Sequence, residues 1–230
     1  MMFEYIKENL ELIIEKIAGA ARRAGRSPED ITLVAVSKTH PAEAIEAAVK
    51  FGVTDIGESR IQEAEPKLET LGNIARWHMI GHLQTNKVKK AVAAFDIIQS
   101  VDSLKLATEI DRRAGQIGKK IKCLIEINSA GEAAKSGISL NNAMDLIQNT
   151  KDLENIQLKG IMTIGPLTDD GQLIRDAFRK TRKLFEQGRS LIGDQFDILS
   201  IGMSDDFEIA IEEGSNMVRI GTAIFGQRKI

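Results

Sequence analysis

The sequence predicts a single closed (β/α)8 barrel of the TIM type, preceded by an extra N-terminal helix. Three observations predict it. From Ser27-Pro28 onward, short runs rich in β-branched residues alternate with longer helical patterns to the C-terminus. Eight such strand–helix units can be counted, the number that closes a barrel. Several strands are continuous apolar runs, as parallel strands covered outside by helices must be. An open doubly wound sheet is the rival architecture. Residues 1–230 read as one domain, because no linker, low-complexity tract or break in composition divides them.

The elements follow in order. Phe3, Ile6, Leu10, Ile13, Ile14 and Ile17 recur at helical spacing and predict an amphipathic helix ending near Gly25. The strands are expected at Ile31–Ser37, Thr54–Gly57, Arg76–Ile80, Ile97–Val101, Lys122–Ile127, Leu158–Ile164, Ile198–Gly202 and Met217–Phe225. Helices are expected to start near Pro41, Ile61, Gln84, Ser103, Ser139, Asp170 and Asp205.

Composition narrows the function classes. A chain with 43% hydrophobic and 28% charged residues can bury a core without disulfides. A net charge of −2 gives no electrostatic reason to expect nucleic acid or an anionic membrane as partner. Lys87, Lys89 and Lys90 read as a solvated helix face. The lone Cys123 lies in an apolar run and reads as a buried small hydrophobe, and three histidines with one cysteine make no zinc ligand set. Glu4, Glu8 and Glu11 argue against a signal peptide or a membrane span at the N-terminus, so a reducing cytoplasm is the expectation.

Chemistry in such a barrel belongs at the C-terminal ends of the strands, and the unusual residues fall there. Lys38 closes the first strand in Leu33-Val34-Ala35-Val36-Ser37-Lys38. Desolvation at a barrel mouth favours the neutral, nucleophilic amine that a Schiff base requires; a strand-end lysine in solvent is the alternative. Ser204, in Gly202-Met203-Ser204-Asp205, is expected to cap a helix start and offer an anion site. Gly221 and Thr222 follow on the expected eighth strand, one allowing close backbone approach and the other adding a hydroxyl. The loops after strands seven and eight are the recurring phosphate site of these barrels. Arg219 is charged within an apolar strand and should face the mouth, either as a structural ion pair or as a donor to a pyridine ring nitrogen, as in sites for pyridoxal 5′-phosphate (PLP). His78 is expected to point into the barrel, as a satisfied core histidine or as a cofactor contact. Ser59, Asn128-Ser129 and Met162-Thr163 occupy comparable positions on other strands, where each also reads as an ordinary strand-end residue.

Taken together, Leu33–Pro41, Gly57–Ala64, Trp77–Lys87, Glu126–Gly137, Lys159–Pro166, Ile201–Gly214 and Val218–Gly226 resemble the PLP homeostasis protein family. The run from His78 to Lys87 and the pair Gly202–Asp205 with Val218–Gly226 are its most specific pieces. The resemblance implies a fold like the N-terminal barrel of alanine racemase, PLP fold type III, with Lys38 as the Schiff-base lysine and Arg219 at the pyridine nitrogen. It implies a phosphate site of Ser204, Gly221 and Thr222, with Met203, Ser59, His78 and Met162 completing the cofactor lining. Ser59 stands where the family commonly has asparagine, which puts a ring contact there in doubt, and Met79 replaces a usual phenylalanine. Its members are associated with vitamin B6 homeostasis, usually without demonstrated enzymatic activity.

Racemases of this fold supply a tyrosine base from a second domain. This chain runs five residues past Phe225, and its single tyrosine, Tyr5, is in the N-terminal helix. An arginine at the ring nitrogen leaves that nitrogen neutral and the cofactor a weak electron sink. The expectation is therefore a monomeric PLP-holding protein whose partners are PLP and apo PLP-dependent enzymes, with no metal and no catalytic cycle of its own. A low-activity PLP-dependent racemase or decarboxylase is the alternative. A barrel enzyme using Lys38 in an aldolase-like Schiff base, without PLP, is a third reading.

Overall fold

Val, Ile and Leu dominate the short runs between helices. In the computed structural model, which describes residues 3–132 and 135–227, these runs become eight parallel barrel strands. They are β1 Thr32–Val36, β2 Asp55–Glu58, β3 Arg76–Met79, β4 Ile97–Val101, β5 Ile121–Asn128, β6 Ile156–Thr163, β7 Ile198–Ser200 and β8 Met217–Ile220. Each pairs with the next in sequence, and β8 pairs back onto β1, which closes the barrel. A two-residue strand, Ile138–Ser139, adds to the outer end of β5. The doubly wound alternative is excluded by that closure.

The helices are α1 Glu4–Arg23, α2 Ala42–Lys50, α3 Ile61–Leu71, α4 Val88–Ala94, α5 Leu104–Gln116, α6 Leu140–Thr150, α7 Gly171–Ile192, α8 Phe207–Glu212 and α9 Thr222–Phe225. Two of the expected starts are true caps: Ser103 Oγ accepts from Leu106 N–H, and Asp170 Oδ1 accepts from the N–H groups of Gln172 and Leu173. Because α9 is only four residues long, α1 fills the gap in the outer ring. It packs against α8, α9 and α2 with Ile6, Leu10, Ile13, Ile17, Ala20 and Ala21 buried. Asn9 Nδ2 ties it to Ile224 O at 2.9 Å.

Strand alternation divides the core into two compartments. Outward residues such as Ala35, Ile56, Met79, Ile98, Cys123, Ile125, Ile161 and Val218 pack under the helices in one large cluster. Val34, Val36, Ile97, Leu124, Met162 and Met217 are buried apart from it, on the inward parity. Burial pushes the Cys123 thiol up, so it stays protonated and unreactive.

Three sequence expectations are corrected near the C-terminus. The eighth strand stops at Ile220 instead of running to Phe225, and Thr222–Phe225 is helical. Gly221 O accepts from both Ile224 N–H and Phe225 N–H at 2.9 Å, which winds the apolar residues into a turn. Ser204 is not the cap of α8. The cap position is Asp206, whose Oδ1 accepts from Met203 N–H at 2.5 Å and folds residues 203–206 into a turn ahead of the helix. The seventh strand also ends early, at Ser200, because Gly202 takes φ of +97° with Ala210 pressed against it.

Candidate functional site

β1 and β8 are hydrogen-bonded neighbours, with Val34 opposite Arg219 and Ala35 opposite Ile220. They deliver Lys38, just past β1, and Gly221-Thr222, just past β8, to one rim. A side chain at Gly221 would place its Cβ 3.1 Å from Val36 O, so the close backbone approach expected there is an approach to β1 itself. Lys38 is half-buried in a turn. Thr39 beside it has φ of 68°, a left-handed conformation that a β-branched residue rarely takes. Thr39 N–H donates to Glu63 Oε2 and His40 N–H to Ser37 O, each at 3.0 Å, so the turn is held from both sides.

A buried ion pair anchors that turn. Glu58 Oε1 accepts from Ser37 Oγ and from Lys67 Nζ, both at 2.6 Å, and Lys67 Nζ also donates to Ser37 O at 2.9 Å. Burial pushes the Glu58 carboxyl up, while Lys67 and Ser37 oppose the shift. The residue immediately before Lys38 is thus fixed through both its hydroxyl and its carbonyl.

Arg219 is 4% exposed and faces the interior. Its Nη1 donates to Ser200 O at 2.8 Å and Ser200 Oγ at 2.7 Å, and its Nη2 donates to Thr163 O at 2.8 Å. The Nε–H and the second Nη2–H meet no acceptor among the described residues. Burial lowers the guanidinium to about 10, a fall that the more distant Asp206 and Glu126 carboxylates oppose. It remains a cation at neutral pH.

Below Arg219 a polar chain crosses the apolar barrel. Ser200 Oγ donates to Gln99 Oε1 at 2.7 Å, and Gln99 Nε2 lies 2.8 Å from His78 Nδ1. The amide can only donate there, so Nδ1 is the acceptor and Nε2 carries the hydrogen. His78 Nε2 donates to Asp55 Oδ1 at 2.9 Å, and Arg76 Nη2 donates to Asp55 Oδ2 at 2.7 Å. Burial alone would raise the Asp55 carboxyl; the donors His78, Arg76 and Thr54 outweigh it and hold it down to about 2. Glu126, on β5, is 3% exposed, and its Oε2 has no partner among the described residues. Burial pushes it up to about 7, with Asp102 adding to the rise and Arg219 opposing it.

The remaining expected residues divide into two groups. Ser204 is partly exposed and Thr222 exposed, and neither hydroxyl bonds another described residue. Met203 is exposed at the same rim, and Ser59 is partly exposed where the β2 and β3 loops meet. His78 and Met162 are fully buried in the barrel, and both His78 nitrogens are already engaged. Asn128 and Ser129 serve the fold: Asn128 Nδ2 bonds Glu132 O, and Thr163 Oγ1 lies 3.0 Å from Ser129 Oγ. Gln99, Ser200, Asp55, Lys67 and Glu126 were not singled out from sequence. The signal existed for Gln99 and Ser200, polar residues inside Ile97-Ile98-Gln99-Ser100-Val101 and Ile198-Leu199-Ser200-Ile201, on the inward parity.

Known proteins share this architecture. The sequence model of the alanine racemase N-terminal domain family matches residues 9–229. A protein of Aquifex aeolicus named pyridoxal phosphate homeostasis protein is 41% identical over 223 residues, 96% of this chain and 98% of its own length. PipY of Synechococcus elongatus, solved with PLP bound, superposes with a TM-score of 0.82 at 33% identity, covering 96% of this chain and all of that one. Alanine racemase from Corynebacterium glutamicum shares the fold at a TM-score of 0.73 and 15% identity, with 62% of that chain covered. Among the described residues no helix is long and apolar enough to cross a membrane. By family model and full-length identity alike, the chain belongs to the pyridoxal phosphate homeostasis protein family, built on the alanine racemase N-terminal domain.

Proposed function

We propose that this protein holds PLP as a Schiff base on Lys38, serves PLP homeostasis in the cytoplasm as a monomer, and has no catalytic cycle of its own. The observation that carries the reading is the convergence, on the adjacent strands β1 and β8, of a half-buried lysine with a buried arginine that keeps two N–H groups unused. The residues fit the cofactor. A primary amine, a guanidinium with donors to spare, and two disengaged hydroxyls match its aldehyde, ring nitrogen and phosphate.

When bound, PLP supplies an aldehyde carbon that amines capture and a ring that accepts electrons. Lys38 provides the amine, positioned through Ser37 by Glu58 and Lys67. Arg219 donates a hydrogen bond toward the ring nitrogen. With its pKa near 10, it keeps its own proton at neutral pH and leaves that nitrogen unprotonated. Ser204 and Thr222 donate to the phosphate, with Met203 beside them, and Gly221 brings the β8 turn close to β1. Ser59 and Met162 line the ring side of the site. His78 acts from beneath, through the chain that ends on Arg219.

Against turnover stand three features of this chain. Tyr5 lies outside the barrel, its hydroxyl donating to Phe225 O at 3.4 Å. His78 has neither nitrogen open to act as a base. Arg219 weakens carbanion stabilisation. The function remaining is to store PLP and release it to apo-enzymes, and the relatives named homeostasis proteins support that reading.

The test is purification with PLP followed by borohydride reduction and peptide mapping. A chromophore fixed on Lys38 is expected, absent from a folded Lys38→Ala variant; a reducible adduct persisting on that variant would refute the assignment. The holo-protein should reactivate a PLP-dependent apo-enzyme. Turnover of any L- or D-amino acid at about 1 s⁻¹ or faster, the low end of ordinary enzymes, would defeat the carrier reading.

A further inference from the structure

We infer that Gln99 is a positioning residue for the cofactor site: it connects the Asp55–His78 pair to Ser200 and thereby sets the orientation in which Arg219 presents its unused N–H groups. This rests on the proposed PLP reading and deepens it. Gln99 sits in the middle of β4 and is fully buried, with both ends of its amide used. Its Nε2 donates to His78 Nδ1 at 2.8 Å and approaches Met217 Sδ at 3.3 Å, while its Oε1 accepts from Ser200 Oγ at 2.7 Å.

The direction of each bond is fixed by its neighbour. Asp55, held down to about 2, can only accept, so the neutral His78 ring carries its hydrogen on Nε2 and offers a lone pair on Nδ1. That lone pair demands the amide nitrogen of Gln99, so the amide oxygen must face Ser200. Ser200 Oγ then gives its one hydrogen to Gln99 and turns its lone pairs to Arg219 Nη1. An amide flipped at Gln99 would set two acceptors against each other at the neutral His78 ring and take from Ser200 Oγ the acceptor of its hydrogen. With His78 neutral one arrangement satisfies every link, and it ends with Nη1 saturated by Ser200 while Nε–H and one Nη2–H remain for a ligand.

The experiment is a double-mutant cycle on PLP affinity with the intact protein, using Gln99→Leu, Arg219→Met and the pair. Gln99→Leu is expected to weaken PLP roughly tenfold in the wild-type background and to have no further effect once Arg219 is Met. Equal weakening by Gln99→Leu in both backgrounds overturns the inference while leaving PLP binding intact. No PLP binding by the wild type, or no effect of Arg219→Met, overturns the site reading itself and this inference with it.

A second variant keeps the test open if Gln99→Leu fails to fold. Gln99→Glu retains the acceptor for Ser200 but needs one extra proton in its link to His78 Nδ1, carried either by the imidazole or by the new carboxyl. The ratio of its PLP affinity to that of the wild type should therefore climb as the pH is lowered. The charged groups around this pair are Asp55 from β2, with Arg76 of β3 on its other carboxylate oxygen, and Arg219 from β8 beyond Ser200, all common to both proteins. A ratio independent of pH overturns the inference. In the ligand-free wild type, nitrogen NMR should find His78 protonated on Nε2; protonation on Nδ1 overturns it as well.

Discussion

Two basic side chains are buried close to the rim, and they are held in opposite ways. Lys67 meets its counter-charge at contact: Glu58 Oε1 is 2.6 Å away. Arg219 meets none. Its donors go to Ser200 and to Thr163 O, uncharged acceptors, and the nearest carboxylates act only through the field. The difference separates a structural charge from one available to a ligand. Lys67 is neutralised where it stands, and its role ends at holding Ser37. Arg219 is positioned without being neutralised, and two of its N–H groups meet no acceptor among the described residues.

The largest effect expected from this contrast is on stability. Lys67→Met leaves Glu58 buried without a cation, and breaking a buried pair from one side costs about 3–5 kcal/mol. Denaturant unfolding at neutral pH reads it. Arg219→Met should cost less, about 1–3 kcal/mol, because it strands neutral oxygens while removing a buried cation. If Arg219→Met proves the more damaging, Arg219 is the structural charge and the comparison is inverted. Adding Glu58→Leu to Lys67→Met should recover most of the loss, since the stranded charge goes with it.

The next effect is a pH dependence, carried by Glu126. Its folded pKa is raised from 4.5 to about 7. An acid raised on folding binds its proton more tightly in the native state, so its favourable contribution is complete below about 4.5 and is lost as pH rises through about 7. The gap corresponds to an upper figure of about 3 kcal/mol. Glu58 and Asp206 are shifted the same way and add to the slope. Glu126→Gln should flatten the fall in stability between about pH 5 and 7 and raise the melting temperature at pH 8. An unchanged pH profile would mean that Glu126 is ionised in the native state with a partner of its own.

The contrast also explains what could be read from the sequence. The barrel was legible because β-strand periodicity and eight repeats are local patterns, and only the ends failed. The eighth strand was extended through Gly221 to Phe225 because Ile224 and Phe225 are apolar in either state, and nothing local shows that Gly221 O gathers their amides. Ser204 looked like a cap because serine favours caps. The winning group was Asp206, whose carboxylate reaches back to Met203 N–H. Lys38 and Arg219 stood out as charges in apolar strands, and the structure brings them to neighbouring strands. The supports of those residues stayed hidden: Lys67 on α3 looks like any helix lysine until the fold sets it on Glu58. Gln99 becomes meaningful only when β3, β4 and β7 place His78 and Ser200 on either side of it.

The smallest expected effect sharpens the comparison at the outer rim, where Ser204 is partly exposed and Thr222 exposed. The Ser204 and Thr222 hydroxyls bond no other described residue, so a Ser204→Ala, Thr222→Ala variant should lie within about 0.5 kcal/mol of wild-type stability. Its effect belongs to the ligand. A hydrogen bond to a charged group contributes roughly 1.5–3 kcal/mol, and solvent at this rim brings both toward or below the lower bound. Together they still predict a PLP dissociation constant raised about tenfold or more, which is about 1.4 kcal/mol. Pyridoxal, with the same aldehyde and ring but no phosphate, should bind the variant and the wild type alike, because its contacts run through Lys38 and Arg219. Parallel titrations of the two ligands separate the cases. A loss confined to PLP places the phosphate between the β7 and β8 turns. An equal loss for both ligands would mean that the two hydroxyls support the barrel mouth as a whole, and that the phosphate is held elsewhere on the rim.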